Sequence, residues 1–263
     1  MTRARRRLSA GLVSDEDLTR LLARAPSWLV DKVPRDHRES DAAFRRRRRV
    51  TAGVSVAGAG LLGVSLSRQP DSPSFYALTM GVAATWVAGG LASGPLHLGW
   101  VQTPEATLRR PLLTPLIAGV GAFGLFYGAA LVARRIPPLG PAVARVLRYA
   151  EQGSPALVAT TTLANGLAEE VFFRGALYAA VGEGDPVVTS SAVYTLATVA
   201  TRNPALVIAS VPMGLLFALQ RRASGGIQAP MISHVTWSVL MLRYLPPLFA
   251  DEPSIQVSRP AEP

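Results

Sequence analysis

The chain has 263 residues, 49% of them hydrophobic and only 17% charged, with a net charge of +10 and no cysteine. Globular domains carry about 25% charged residues, and here the charge is clustered between long apolar stretches, so a polytopic helical membrane protein is indicated rather than a soluble domain. The missing cysteine excludes disulfides, thiolate zinc sites and cysteine nucleophiles. The basic residues flank apolar runs instead of alternating with aromatics, which argues against nucleic acid as a partner.

Residues 1–49 read as a polar, arginine-rich N-terminal region. Arg3, Arg5, Arg6 and Arg7 are not followed by an apolar run, so no cleaved signal peptide is expected. Ser14-Asp-Glu-Asp17 has the form of a helix start. Leu18, Leu21, Leu22, Trp28, Leu29 and Val30 would then form an apolar stripe, suiting either a membrane-resting helix or a small soluble cap. Arg45 to Arg49 is an unbroken run of five arginines ahead of the first apolar segment, which predicts a cytoplasmic N-terminus and a multi-pass cell-membrane protein.

Apolar spans are expected over roughly 50–67, 74–96 and 112–133, with Gly119, Gly121, Gly124 and Gly128 allowing close packing in the third. The segment 136–153 begins with helix-breaking prolines and suggests a short interfacial helix in which Val143, Val146, Leu147 and Tyr149 alternate with Arg145 and Arg148. Three starts of one type follow: Ser154-Pro155, Asp185-Pro186 and Asn203-Pro204, each a capping residue before a proline. They open spans over roughly 154–181, 186–201 and 204–220, the last with a kink at Pro212. Gly225-Gly226 breaks the chain before a final apolar segment, 227–249, and the tail to Pro263 reads as disordered. The expected fold is an all-α transmembrane bundle of about seven or eight spans. Residues 50–109 supply the first membrane helices, 110–249 a membrane core, and 250–263 a tail. With strict alternation, Arg134, Arg135, Arg145 and Arg148 fall on the outer side against the positive-inside rule. Either one segment is re-entrant or the span count is off by one.

The unusual residues are Glu169, Glu170 and Arg174, three charges in six positions of an otherwise apolar helix. One charge at the bilayer centre costs about 3 kcal/mol on insertion scales, so such residues mark function by default. At 100° per residue, Glu170 and Arg174 share a face, whereas Glu169 and Arg174 diverge by about 140°. Glu170 is therefore expected to pair with Arg174. Glu169, with Asn165 one turn away, is left as the candidate general base. The bland alternative is a Glu–Arg pair that only locks helix packing, with Glu169 solvated nearby. His234 is the one histidine in the later spans, and Ser238 lies one turn beyond it on the same face.

Two stretches together resemble a known family. Glu169-Glu-x-x-x-Arg174, with Phe172-Phe173 before the arginine and Gly175 after it, is similar to the first motif of the CPBP family, the CAAX-processing and bacteriocin-processing intramembrane endopeptidases. Met213-Gly-Leu-Leu-Phe217, followed by Ala229-Pro-x-x-x-His234, resembles that family's third motif with its lead-in. The resemblance covers roughly 110–249. It implies that Glu169 activates a water for attack on a peptide carbonyl. It also implies that His234, with a polar residue four positions on, binds a metal or the developing oxyanion. A second histidine is implied in the next span, in a Phe-x-x-x-His motif.

This chain has Tyr194 and Thr198 at those two positions, and Ser238 where asparagine is common. Serine keeps a hydrogen-bond donor. Threonine removes both a metal ligand and a titratable base. Zn2+ would be left with Glu169, His234 and a hydroxyl or carbonyl, short of the three good protein ligands usual in catalytic zinc sites. The expected function is a CPBP-type endopeptidase, metallo or glutamate in type. It would cleave a membrane protein or peptide beside membrane lipids, with catalytic residues Glu169, Glu170 and His234 supported by Arg174, Asn165, Ser238 and Thr198. A catalytically inactive membrane scaffold of the same fold is the alternative. A small transporter is a third reading, disfavoured because no second half repeats the buried charge.

Overall fold

The computed structural model describes residues 39–103, 107–181 and 184–249. The expected N-terminal amphipathic helix, His37 and the tail lie outside the described residues. The architecture is an all-α helical bundle. Every apolar segment expected to span is helical, most ends lying within a few residues of those expected.

The helix α1 (Asp41–Ser65) starts nine residues before the expected span, because the Ser40 hydroxyl caps it by accepting from the Ala43 N–H. The arginine run is therefore helical, and its members separate by angle. Arg45, Arg46, Arg48 and Arg49 are exposed, while Arg47 turns inward. Its guanidinium pairs with Glu39 and donates to Ser93 Oγ and the Pro95 carbonyl, each at 3.1 Å. The next helix, α2 (Pro73–Ser93), packs along α1, and Gly58 makes room for the Trp86 ring, which a Cβ there would overlap.

A short antiparallel hairpin that the sequence reading does not anticipate follows, β1 (Val101–Gln102) with β2 (Leu108–Arg109), in the register Val101↔Arg109 and Gln102↔Leu108. The segment leading into it is tied to the far end of the chain. Trp100 N–H donates to the Ser224 carbonyl, while Ile227 and Gln228 donate back to His97 and Leu98.

Helix α3 (Leu113–Ala133) exposes Leu113, Leu116, Ile117, Val120, Leu125 and Val132, an apolar surface suited to lipid. Of its four glycines, only Gly119 meets a neighbour, the backbone of Ser233 and the side chain of Thr236; Gly121, Gly124 and Gly128 face open space. The expected interfacial helix is α4 (Leu139–Gln152). It is held by Tyr149, whose hydroxyl donates to the Leu66 and Arg68 carbonyls, and by Asn203, whose amide donates to the Ala142 carbonyl.

The fourth span is composite: α5 (Pro155–Glu169), a π-helical stretch Glu170–Leu177, and a last turn α6 (Tyr178–Ala180). Then come α7 (Pro186–Val199), α8 (Pro204–Ser224) and α9 (Gln228–Tyr244), with a 3₁₀ turn at Pro246–Leu248. Asp185 and Asn203 cap α7 and α8 as expected, each side chain accepting from two backbone N–H groups. Ser154 stands at the expected N-cap without a capping hydrogen bond from its side chain; its own N–H donates to Asp71 and Tyr76 instead. Gly225, in the left-handed region at φ 69°, ends α8.

By length and composition, three helices among the described residues can cross a membrane, α2, α3 and α8, and α7 is apolar but shorter. That is fewer than the seven or eight spans expected. Charge in α1 and in the composite helix, and the length of α7 and α9, account for the difference.

Candidate active site

The composite helix packs its aromatic face on α2. Trp86 meets Phe172 and Phe173 with ring centroids 4.7 and 4.9 Å apart, inside a core that includes Val82, Ala83, Ala168, Ala176, Leu177 and Ala197. Burying these rings fixes the roll of the helix, and so fixes where its charges point. At Glu170 the winding widens to π, and Tyr178 N–H bonds back to the Phe173 carbonyl, five residues earlier. Such wide turns recur at functional sites, where they re-aim side chains.

Glu170 and Arg174 are both fully buried and paired, Nη1 to Oε1, at 3.2 Å. Arg174 also donates to the Gly214 carbonyl on α8 and receives at its own carbonyl the Arg221 Nε–H, at 2.8 Å. Its guanidinium lies over the Tyr194 ring at 4.6 Å and the Phe217 ring at 5.2 Å. A charge this deep persists only when held on several sides.

His234 joins this knot. Its Nδ1 lies 2.9 Å from Glu170 Oε1, and its ring stacks on Phe217 at 4.8 Å. A carboxylate only accepts, so Nδ1 is the donor in this contact and Nε2 is left as the ring's second site. Gly166 gives that atom room, since a Cβ there would lie 3.4 Å from Nε2 and 3.3 Å from Cδ2. The expected pairing of Glu170 with Arg174 is present, with one addition: the same carboxylate oxygen also contacts the histidine.

Glu169 goes elsewhere, as helical spacing predicts. Its Oε2 accepts from the Tyr194 hydroxyl at 3.0 Å. Glu169, Tyr194, His234, Ser238, Asn165 and Gly166 line one cavity of about 530 Å³, whose remaining wall is mostly apolar and includes Phe126, Met241 and, from α4, Leu139, Val143 and Leu147. Asn165 spends both amide hydrogens on the Thr79 and Thr161 carbonyls, which ties α5 to α2. Ser238 is buried beside His234. Thr198 is not among the lining residues; its hydroxyl donates to the Tyr194 carbonyl of its own helix at 2.9 Å. The residue of α7 that reaches the site is Tyr194, one turn earlier. Its hydroxyl is the site group that sequence reading missed, and the signal was present: a phenol stands where the related motif carries a plain phenyl ring.

The donor set does not suit zinc. Glu169 and His234 are two strong ligands, Glu170 has its Oε1 taken by both Arg174 and His234 and its charge offset by the arginine, and the Thr198 hydroxyl bonds the Tyr194 carbonyl. No group of three or more His, Cys, Asp or Glu side chains able to hold a metal occurs among the described residues.

No curated protein and no solved structure matches the chain. Residues 151–240 match the family model described as type II CAAX prenyl endopeptidase Rce1-like. The matched stretch contains Glu169, Glu170, Arg174, Tyr194 and His234, and it supports membership of the CPBP family of membrane proteases.

Proposed function

We propose that the protein is a multi-pass intramembrane endopeptidase, with its N-terminus in the cytoplasm, that hydrolyses a peptide bond of a membrane-associated substrate by glutamate-activated water. The observation that carries this reading is that Glu169 and His234, 65 positions apart, line the same largely apolar cavity. Such a cavity suits an apolar peptide segment and excludes bulk water, so a carboxylate on its wall acts on what is bound there.

In this mechanism Glu169 takes a proton from a water held against its free oxygen. The water oxygen bonds to the scissile carbonyl carbon, and the carbonyl electron pair moves onto oxygen. Ser238 donates to that oxyanion, while Glu170 keeps the His234 ring in register beside it. Collapse of the tetrahedral species breaks the C–N bond. The departing nitrogen takes the proton from Glu169. No step is routed through a metal.

A non-catalytic membrane scaffold is the second reading, favoured by the position of Thr198 outside the cavity wall. One experiment separates the two. The full chain, purified in detergent, is assayed on a library of fluorogenic peptides beside Glu169→Gln. Hydrolysis by the parent with loss in the variant supports the peptidase. Equal rates in the two sink the mechanism and leave the scaffold.

A further inference from the structure

We propose that Tyr194 is the positioning residue for Glu169, holding one carboxylate oxygen so that the other faces the bound water; this rests on the peptidase reading above. The contact itself is one hydrogen bond, Tyr194 Oη to Glu169 Oε2 at 3.0 Å. Among the described residues, Oε1 of Glu169 receives no hydrogen bond, although its side chain lines the cavity. The two oxygens are therefore inequivalent: one is anchored and one is free to accept from water.

The phenol is delivered by a ring packed on three sides, with the cavity on the fourth. It meets Phe173 edge-on with centroids 5.0 Å apart and lies under the Arg174 guanidinium. On its third side is Gly214, where a Cβ would come within 3.3 Å of Cδ1. Arg174 thus organises both carboxylates, Glu170 by direct pairing and Glu169 through the ring it covers. A carboxylate in an apolar wall has a broad, roughly two-fold torsion at its last bond. A single donor on a fixed ring selects one setting of it, and placing a base in its reactive geometry is worth large factors in rate.

Tyr194→Phe removes the hydroxyl and keeps every ring contact, so the fold survives, which an unchanged melting temperature would verify. Two readouts test the role in the full chain in detergent. The first is the infrared carboxyl band that Glu169→Gln removes; in Tyr194→Phe that band moves in frequency. The second is hydrolysis of the fluorogenic peptides, where kcat falls by about 10- to 100-fold, the worth of one charge-assisted hydrogen bond, with KM unchanged. A band that stays in place overturns the proposal, and so does an unchanged kcat with a moved band. If the parent chain hydrolyses nothing, the peptidase reading falls, and the infrared comparison still decides whether Tyr194 holds Glu169.

Discussion

Glu169 and Glu170 are chain neighbours whose charges are held in opposite ways. Glu170 is sealed off, fully buried and held at Oε1 by both Arg174 and His234, which themselves pack against Phe217. Glu169 has a single neutral donor and a cavity in front of it. Under the proposed mechanism, one helix supplies both a structural charge and a reactive one. Neutralisation within the helix fixes the first, and the second, with no salt bridge among the described residues, is proposed to change its proton count during a reaction.

The largest effects should fall on the sealed side and appear as lost stability. Arg174→Leu leaves Glu170 buried without its cation and should cost about 3–5 kcal/mol, read as a fall in thermal stability in detergent. Glu170→Gln should destabilise less, since the amide keeps a partner for His234 and the shape of the site. If Arg174→Leu melted like the parent, the claim that this pair holds the helix in place would be wrong.

Glu169→Gln tests the other side of the comparison. It removes a carboxylate that makes no salt bridge among the described residues, so stability should change little. Peptide hydrolysis should fall by about 10²- to 10⁴-fold, the usual contribution of a general base. A variant that lost stability while keeping activity would reverse the roles assigned to the two carboxylates. Gly166→Ala sits between the two in size. The added methyl presses on Cδ2 and Nε2 of His234 at 3.3–3.4 Å, so it should cost about 1–3 kcal/mol if the ring cannot give. It should also lower kcat by tilting the ring that Glu170 holds.

Local rules made much of this legible in the sequence. A spacing of four places Glu170 with Arg174, a spacing of five separates Glu169, and a capping residue before proline marks the starts of α7 and α8. What escaped depends on contacts far apart in the chain. The Glu170–His234 contact joins residues 64 positions apart, and spacing along one helix says nothing about which carboxylate a second helix meets. The inward turn of Arg47 was hidden because its partners Ser93 and Pro95 lie at and just beyond the end of the next helix, so a run of five like charges read as one uniform flank. The π winding after Glu169 leaves no composition signal. The three unused glycines of α3 show the converse, since a glycine-rich face permits close packing without requiring it.

The smallest effect is expected at Thr198, and it sharpens the comparison most. From the motif, this position is where a second histidine is missing, so Thr198→His looks like a repair. In the structure the threonine hydroxyl is bonded to its own helix, and the side chain of α7 beside Glu169 is Tyr194. A histidine at 198 would start one turn from the carboxylate, at a position only 9% exposed and outside the cavity wall. Peptide hydrolysis and zinc binding by Thr198→His should match the parent, with a modest loss of stability from fitting an imidazole into a threonine-sized space. A gain in either would mean that α7 can shift by a turn and exchange Tyr194 for residue 198 at the site. Glu169 would then owe its setting to a mobile helix, whereas Glu170 is fixed by contacts to its own helix and to α9, neither of which that shift would disturb.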